Sequence, residues 1–521
     1  MNAIELSLFS SRMEAVCDEM GAVLRRAAFS PNIKDRLDFS CAVFSAKGAL
    51  CAQAAHIPVH IGSMAFAMGE VINKIQWRPG DMVILNDPFM GGTHLPDVTM
   101  VAPLFAGDFD AQIVGFVVNR AHHADIGAET PGSMPISSSL HEEGMVIPPT
   151  HLLRDGKVLI EIMESLTRQT LNAEQTLGDF TAQISANRTG LQRLGEIVTS
   201  LGVEHYCRGL QELNDYAERL AQAALNTIPD GQYRFRDTMD DDGLGHTNLP
   251  LQVTLHVHGH HIDVDFTGTA AQTPGNINCP LSVAAAGVYY VFRCLMPAYT
   301  PNCEGAFRGI RLSAPKGCLL NAEFPAAVAA GNVETSTRVV DVVMGALAKA
   351  IPDCIPAASH GSMNNIAMGA RTHLHGHDRQ WDYYETIGGG MGAGPEHDGL
   401  SAVQTHMTNT LNTPLEVIEM NYPMRITQYG VRHGSGGQGQ HKGGDGIVRE
   451  FEFLQAATVT LLTERRSNRP WGLCGGEPGA SGENRLNGQP LPGKKSLQIK
   501  ARDKLTIKTP GGGGWGKIGD W

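Results

Sequence analysis

The sequence predicts an α/β protein of mixed α+β character, with several domains, mixed sheets carrying packed helices, and a glycine-turn-rich C-terminal β region. Three observations predict it. At 521 residues the chain is too long for one ordinary core. Hydrophobic residues make up 42% and charged residues 18%, a globular balance with ample apolar surface to bury. Strand-like and helical periodicities alternate through the first half, and glycine-rich stretches punctuate the chain after residue 385.

Taken in order, "MNAIELSLFSSRMEAVCDEMGAVL" reads as an amphipathic helix ending near Phe29, because Pro31 disfavours helical residues before it. It lacks a basic n-region, so a secretory signal is not expected. "RLDFSCAVFSAKGALCAQ" reads as a strand, a turn at Lys47-Gly48 and a second strand. "GSMAFAMGEVINKIQ" has helical spacing, and "DMVILND" and "AQIVGFVVNR" are strands that lead into the loops "GGTHLPD" and "AHHADIG". Residues 172 to 228 form helices and close a first region, 1–228. In the second region, 229–521, "LQVTLHVHGHHIDVDFTG" is a hairpin and "TSTRVVDVVMGALAKAI" an amphipathic helix packed on a sheet. "GGGMGAG", "GSGGQGQHKGGDG", "GLCGGEPGASG" and "TPGGGGWG" are interrupted by strand-like stretches, so they read as tight turns of a folded region.

The formal charge of −12 argues against nucleic-acid and anionic-membrane partners, which reward basic patches. Ten cysteines without a C-x-x-C pair suit reduced thiols and a cytoplasmic location. "GQPLPGKKS" resembles a phosphate loop, but Lys495 stands at the Ser/Thr position and two prolines remove amides that would cradle phosphate. The chain therefore has no nucleotide site of its own. "HVHGHH" and "HLHGHD" read as exposed hairpin histidines.

The loop "GGTHLPD" is different. His94 and Asp97 would point to opposite faces of an extended strand, so only a turn brings them together. Pro96 is awkward at the third position of a type I turn, which favours an open turn or a cis Leu95–Pro96 bond. His122 and His123 arrive from the next strand end. Imidazoles plus a carboxylate suit zinc, manganese or iron. On spacing alone, a metal pair and a hydrogen-bonded polar turn are both open.

"RLDFSCAVF", "HIPVHIGSM", "GDMVILNDPFMGGTHLPD", "AHHADIG", "PGNINCP", "GNVETSTRVVDVV", "GSGGQGQHKGGDGIVRE", "RPWGLCGGEPG" and "TPGGGGWG" run nearly end to end. Together they make the chain resemble the hydantoinase B/5-oxoprolinase B family, to which the acetone carboxylase alpha subunit is related. The resemblance implies the hydrolytic B component of an ATP-dependent cyclic-amide hydrolase. Its partner would be a hydantoinase A-type ATP-binding subunit in a hetero-oligomer, a heterotetramer, that uses ATP-Mg. The partner would phosphorylate the amide oxygen of a small cyclic-amide substrate. The resemblance also implies one divalent metal, manganese or zinc, on His94, Asp97 and either His122 or His123. Such a metal lowers the pKa of water to about 7. Alternatives are a subunit of an ATP-dependent ketone carboxylase and a non-catalytic scaffold for the kinase subunit.

Asp38, in "RLDFS", is the candidate catalytic residue. On a strand its carboxylate would face away from Leu37 and Phe39, toward the metal centre as ligand or general base. A salt bridge with Arg36, two residues earlier, is the competing structural reading.

Overall fold

Helix α1 (Ala3–Ala27) starts where Asn2 and Glu5 exchange side-chain-to-backbone hydrogen bonds in a capping box. It stops short of Pro31, which opens the single turn α2 (Pro31–Lys34). The computed structural model describes residues 1–54, 57–60, 62–107, 111–374 and 377–518, without the side chains of 372–379. The histidine-rich "HLHGHD" hairpin lies largely outside the described residues.

The first sheet is antiparallel throughout, in the order β2-β1-β5-β4-β3-β6-β7. Its strands are β1 (Phe39–Ser45), β2 (Leu50–Gln53), β3 (Met82–Leu85), β4 (Asp97–Ala106), β5 (Gln112–His122), β6 (Thr150–Arg154) and β7 (Lys157–Val158). Alternation along β1 sends Phe39, Cys41 and Val43 into one core and Ala42 and Phe44 into another. The first core lies under α1 and helix α5 (Ala173–Leu201); the second lies under α3 (Ser63–Val71). Helices α5 and α6 (Val203–Leu225) match the helical run expected over 172–228, and α4 (Ile160–Thr167) precedes it. Asp179 of α5 accepts the amides of Phe29 and Ser30, which ties α5 to the turn after α1.

A second sheet, ordered β11-β10-β9-β8, is made of β8 (Gly231–Asp241), β9 (Thr247–His258), β10 (His261–Asp265) and β11 (Ile310–Ser313). Helices α7 (Leu281–Leu295) and α8 (Ser336–Leu347) share its core. Every residue of α8 is buried, so the amphipathic expectation is corrected. The polar residues of α8 meet charge instead of water. Arg338 reaches Glu464 at 3.3 Å, and Asp341 pairs with Arg465, which also grips Asp237 at 2.6 Å. Lys494, the lysine of the phosphate-loop near miss, is buried against Glu464 at 2.5 Å and occupied as an ion-pair partner.

The remaining strands form two further sheets, ordered β13-β12-β16-β19 and β14-β15-β20-β17-β18. The ranges are β12 (Asn365–Leu374), β13 (His377–Glu385), β14 (Met424–Arg432), β15 (Gly446–Phe453), β16 (Ala457–Leu462), β17 (Glu483–Leu486), β18 (Gln489–Leu491), β19 (Lys494–Ile499) and β20 (Lys504–Lys508). Helix α9 (Leu415–Asn421) precedes β14. Here the glycines serve two ends. Some make turns at positive φ, as Gly434 and Gly488 do. Others let backbones touch: the Gly512 amide donates to Gly444 at 2.9 Å, and a Cβ on Gly512 would lie 2.0 Å from the Met391 carbonyl oxygen.

This packing sets the outcome of two substitutions. Gly512→Ala should destabilise the protein by about 2 kcal/mol or more, because backbone rather than a movable side chain fills the space. Gly430→Ala, where nothing lies within 4 Å, should stay within about 0.5 kcal/mol of the parent in denaturant unfolding. The buried ion pairs govern the response to acid. Burial works to raise the Asp237 carboxyl, but Arg465 and Arg338 outweigh it and hold it below its ordinary 3.8. A depressed folded value contributes stability that is complete above the ordinary value and lost as pH falls through the lower one. Asp237→Asn should therefore flatten the fall of Tm below about pH 4.

Candidate metal centre

Three neighbouring strand ends build the site. Asp97 is the first residue of β4 and His122 the last of β5, and the antiparallel register pairs them directly. On the other side of β5 the His122 amide donates to the Asp38 carbonyl at 3.0 Å, just before β1 begins. Asp38 is therefore not on the strand where the sequence reading places it. It follows Leu37, which sits at φ 58°, and the kink re-aims the segment before the ladder starts.

His94 comes back over this edge through its turn. The Asp97 amide donates to the His94 carbonyl at 3.1 Å, and the one cis peptide among the described residues is Phe324–Pro325. The turn is thus closed and trans, not open or cis. It sets His94 Nε2 3.5 Å from Asp97 Oδ2.

His94, Asp97 and His122 are all buried, and each offers a ligand atom within 4.8 Å of the others. This is the one such group of three among the described residues. Its polar atoms are incompletely satisfied: His94 Nε2, Asp97 Oδ1 and His122 Nε2 have no hydrogen-bond partner. Buried polar atoms are rarely left that way. Three orphans converging from two imidazoles and a carboxylate fit a divalent cation.

The surroundings orient each group. His94 Nδ1 donates to the Ala329 carbonyl at 3.1 Å, which leaves the lone pair on Nε2. Asp97 Oδ2 accepts from the Thr93 hydroxyl and from Asn332 Nδ2. His122 stacks on Tyr384 with ring centres 4.8 Å apart and planes 5° from parallel. Its Nδ1 lies 3.2 Å from Asn32 Nδ2, a donor, while Asn32 Oδ1 accepts from Arg36. Ligation through Nε2 puts the proton on Nδ1 and requires the Asn32 amide to turn over, so that its oxygen replaces its nitrogen there.

Charge follows the same logic. Burial works to raise the Asp97 carboxyl, but His94 and His60 outweigh it and hold it well below the usual range. Burial lowers His94, yet Asp97 lifts it above the ordinary imidazole value. Burial, with help from His94, pushes His122 well below that value, so its ring is neutral. Burial raises the Asp38 carboxyl against the pull of Arg36.

His123 faces the other way, as alternation requires of adjacent residues. Its Nε2 contacts Gln183 Oε1 at 2.9 Å and its ring packs on Phe180 of α5. Asp38 shares a cavity of about 20 Å³ with His60, Asp97, His122 and Tyr384, room for one water-sized species. The Arg36–Asp38 ion pair is also present, at 3.8 Å.

His60 is a residue that sequence reasoning missed. Its Nδ1 contacts Ser40 Oγ at 2.8 Å and its Nε2 stands 3.5 Å from Asp97 Oδ2. No spacing signal links it to His94. Asn332 and the Ala329 carbonyl were missed for the same reason, since both enter from 235 residues away. Among the described residues the hairpin histidines gather no such group. His258 is exposed, and the rings of His260 and His261 merely pack on each other.

A family model described as hydantoinase B/oxoprolinase matches residues 2–518. The chain belongs to the hydantoinase B/oxoprolinase family. A 5-oxoprolinase of Dictyostelium discoideum is 38% identical over 99% of this chain, which spans only 40% of that protein's length. The putative B component of a D-/L-hydantoinase from a Pseudomonas species is 30% identical, and there the match covers 99% of this chain and 90% of the other. The crystal structure of the ATP-dependent caprolactamase from Pseudomonas jessenii superimposes with a TM-score of 0.90 at 26% identity, covering 99% of this chain and 91% of that one. This family member shows, among its described residues, no helix long and apolar enough to cross a membrane.

The geometry separates the two adjacent histidines. His123→Ala should cost about 1–3 kcal/mol in denaturant unfolding, through the stranded Gln183 amide, and leave the metal-binding capacity of the protein intact. His122→Ala should abolish that capacity, measured by elemental analysis after dialysis against manganese or zinc.

Proposed function

We propose that this chain is the hydrolytic B component of an ATP-dependent cyclic-amide hydrolase of the hydantoinase/5-oxoprolinase type. The observation that carries the reading is the convergence of three unpaired ligand atoms, from His94, Asp97 and His122, where the ends of two central strands meet in the interior. The relatives add the chemistry: hydantoins, 5-oxoproline and caprolactam are all cyclic amides, and the names of the three proteins compared point to enzymes acting on them.

In this reading His94, Asp97 and His122 hold one divalent cation, manganese or zinc. Bound there, such an ion supplies positive charge that polarises an oxygen and brings the pKa of water to about 7. The chain's own residues do the rest. Asp38 opens on the same cavity, and burial raises its carboxyl against the pull of Arg36; from that position it accepts the proton that the attacking water gives up. Arg36 keeps Asp38 oriented and, with its guanidinium 4.9 Å above the Tyr384 ring, fixes the wall on which His122 stacks. His60, held by Ser40, stands against Asp97 Oδ2 beside His94. The small cavity excludes bulk water, which strengthens each of these interactions.

An amide carbonyl is a poor electrophile, and its activation is assigned to the partner. An A-type ATP-binding subunit transfers a phosphoryl group to the amide oxygen, so that the ring carbon accepts water. The near-miss phosphate loop supports this division, because Lys494 is committed to Glu464 and the segment is the connection from β18 of one sheet to β19 of another.

Purified protein should contain a divalent metal, and His94→Ala should lose most of it; full metal content in that variant counts against the centre. In the assembled complex, Asp38→Asn should lower kcat by at least about 100-fold while ATP affinity changes little. Normal turnover with a lowered Tm would make Asp38 a structural partner of Arg36 only. The isolated chain should neither hydrolyse ATP nor open a ring.

A further inference from the structure

Glu143 stands in no motif and lies in a loop after a single helical turn, yet its side chain is fully buried. One oxygen, Oε1, is saturated. It accepts from the Ser137 hydroxyl at 2.7 Å and from the backbone amides of Val328 and Ala329, both at 2.9 Å. The other, Oε2, has no partner. A buried carboxylate is costly unless its hydrogen bonds serve a purpose that the fold needs.

The purpose lies one peptide further on. Ala329, whose N–H is held by Glu143, is the residue whose carbonyl accepts the His94 Nδ1 proton. Three residues later Asn332 donates to Asp97 Oδ2. Residues 328–332 thus form a strap from the second half of the chain that orients two members of the metal centre. Glu143 holds its start, and the amides of Ala330 and Gly331 hold its middle by donating to the Asn276 carbonyl. Gly331 is wedged so tightly under Asn278 that a Cβ there would lie 1.8 Å from the Asn278 carbonyl oxygen, so the strap cannot be repositioned by small side-chain moves.

We propose that Glu143 is a positioning residue for the metal centre, acting through the Ala329 peptide on the tautomer and aim of His94. A ligating histidine ordinarily donates its second ring nitrogen to a carboxylate or a carbonyl. Here both are used in series: carboxylate to peptide N–H, and the carbonyl of the same residue to imidazole. Glu143 does not touch the metal or the substrate. It determines whether the Ala329 carbonyl is in place to take the Nδ1 proton, and so whether Nε2 presents a lone pair.

The inference rests on the proposed metal centre, and one titration series separates the two. Metal-free protein is titrated with Mn²⁺ and with Zn²⁺ against a competing chelator, alongside the Tm of each metal-free variant. Glu143→Ala should weaken binding by about 10- to 100-fold. Glu143→Gln keeps an oxygen acceptor for both amides and should restore affinity to within about threefold of the parent, which a requirement for the negative charge itself would not allow. Glu143→Asp, which retains charge but withdraws the oxygens by one methylene, should bind as poorly as the alanine variant and serves if that variant fails to fold. A lowered metal-free Tm with parental affinity in both Glu143→Ala and Glu143→Asp overturns the assignment, as does a Gln variant as weak as Ala. If the parent protein binds neither ion, the metal centre falls and the assignment with it; parental binding that ignores Glu143 removes the assignment alone.

Discussion

The Asp97 carboxylate, buried at the start of β4 and paired in register with His122 at the end of β5, is the constraint around which the site is organised. Removing a carboxylate from water is expensive, and the protein meets the cost from four directions. Thr93 and Asn332 donate hydrogen bonds to Oδ2, and His94 and His60 each stand 3.5 Å from it. Oδ1 is left without a partner, as are the Nε2 atoms of His94 and His122. A single slip in the β4–β5 register would turn His122 away and bring His123 inward. The identity of the site is therefore a property of the sheet as much as of the side chains.

What holds that edge rigid comes from far along the chain. The strap at 328–332 reaches the turn from the second half, Tyr384 of β13 stacks on His122, and Arg36 binds the Tyr384 carbonyl at 3.0 Å. Behind the strap, α8 is immersed in the core with its charges answered by Asp237, Glu464 and Arg465. Buried pairs of this kind are weak sources of net stability, but breaking one strands a charge in the interior. They tie α8 to the second sheet and to the segment after β16. The glycine-packed backbones extend the same rigidity through contacts that no larger residue could make. Functional groups held on such a frame keep their geometry without relying on loop order.

Much of this was legible in the sequence. The hairpin at β1–β2, the strands feeding both histidine-bearing loops, and the helical run from 172 to 228 all appear where periodicity and turn residues put them. Elsewhere the local signal was overruled. "TSTRVVDVV" carries the pattern of an amphipathic helix, yet tertiary ion pairs let its polar positions be buried. Asp38 sits in a strand-like run, but the left-handed Leu37 delays the ladder by one residue. Pro96 does not open its turn, because the His94 carbonyl still reaches the Asp97 amide.

By itself the sequence determined the secondary-structure frame, the likeness to a family, and the proximity of His94 to Asp97, because each depends on residues within a turn or a few strand positions of one another. Only the tertiary structure decided that His122 and not His123 faces Asp97, since that choice depends on which side of the sheet α5 covers. It alone brought in His60, Ala329, Asn332 and Glu143. Their contacts span sequence separations of 37 to 235 residues, and no local periodicity records which distant backbone will supply a hydrogen bond.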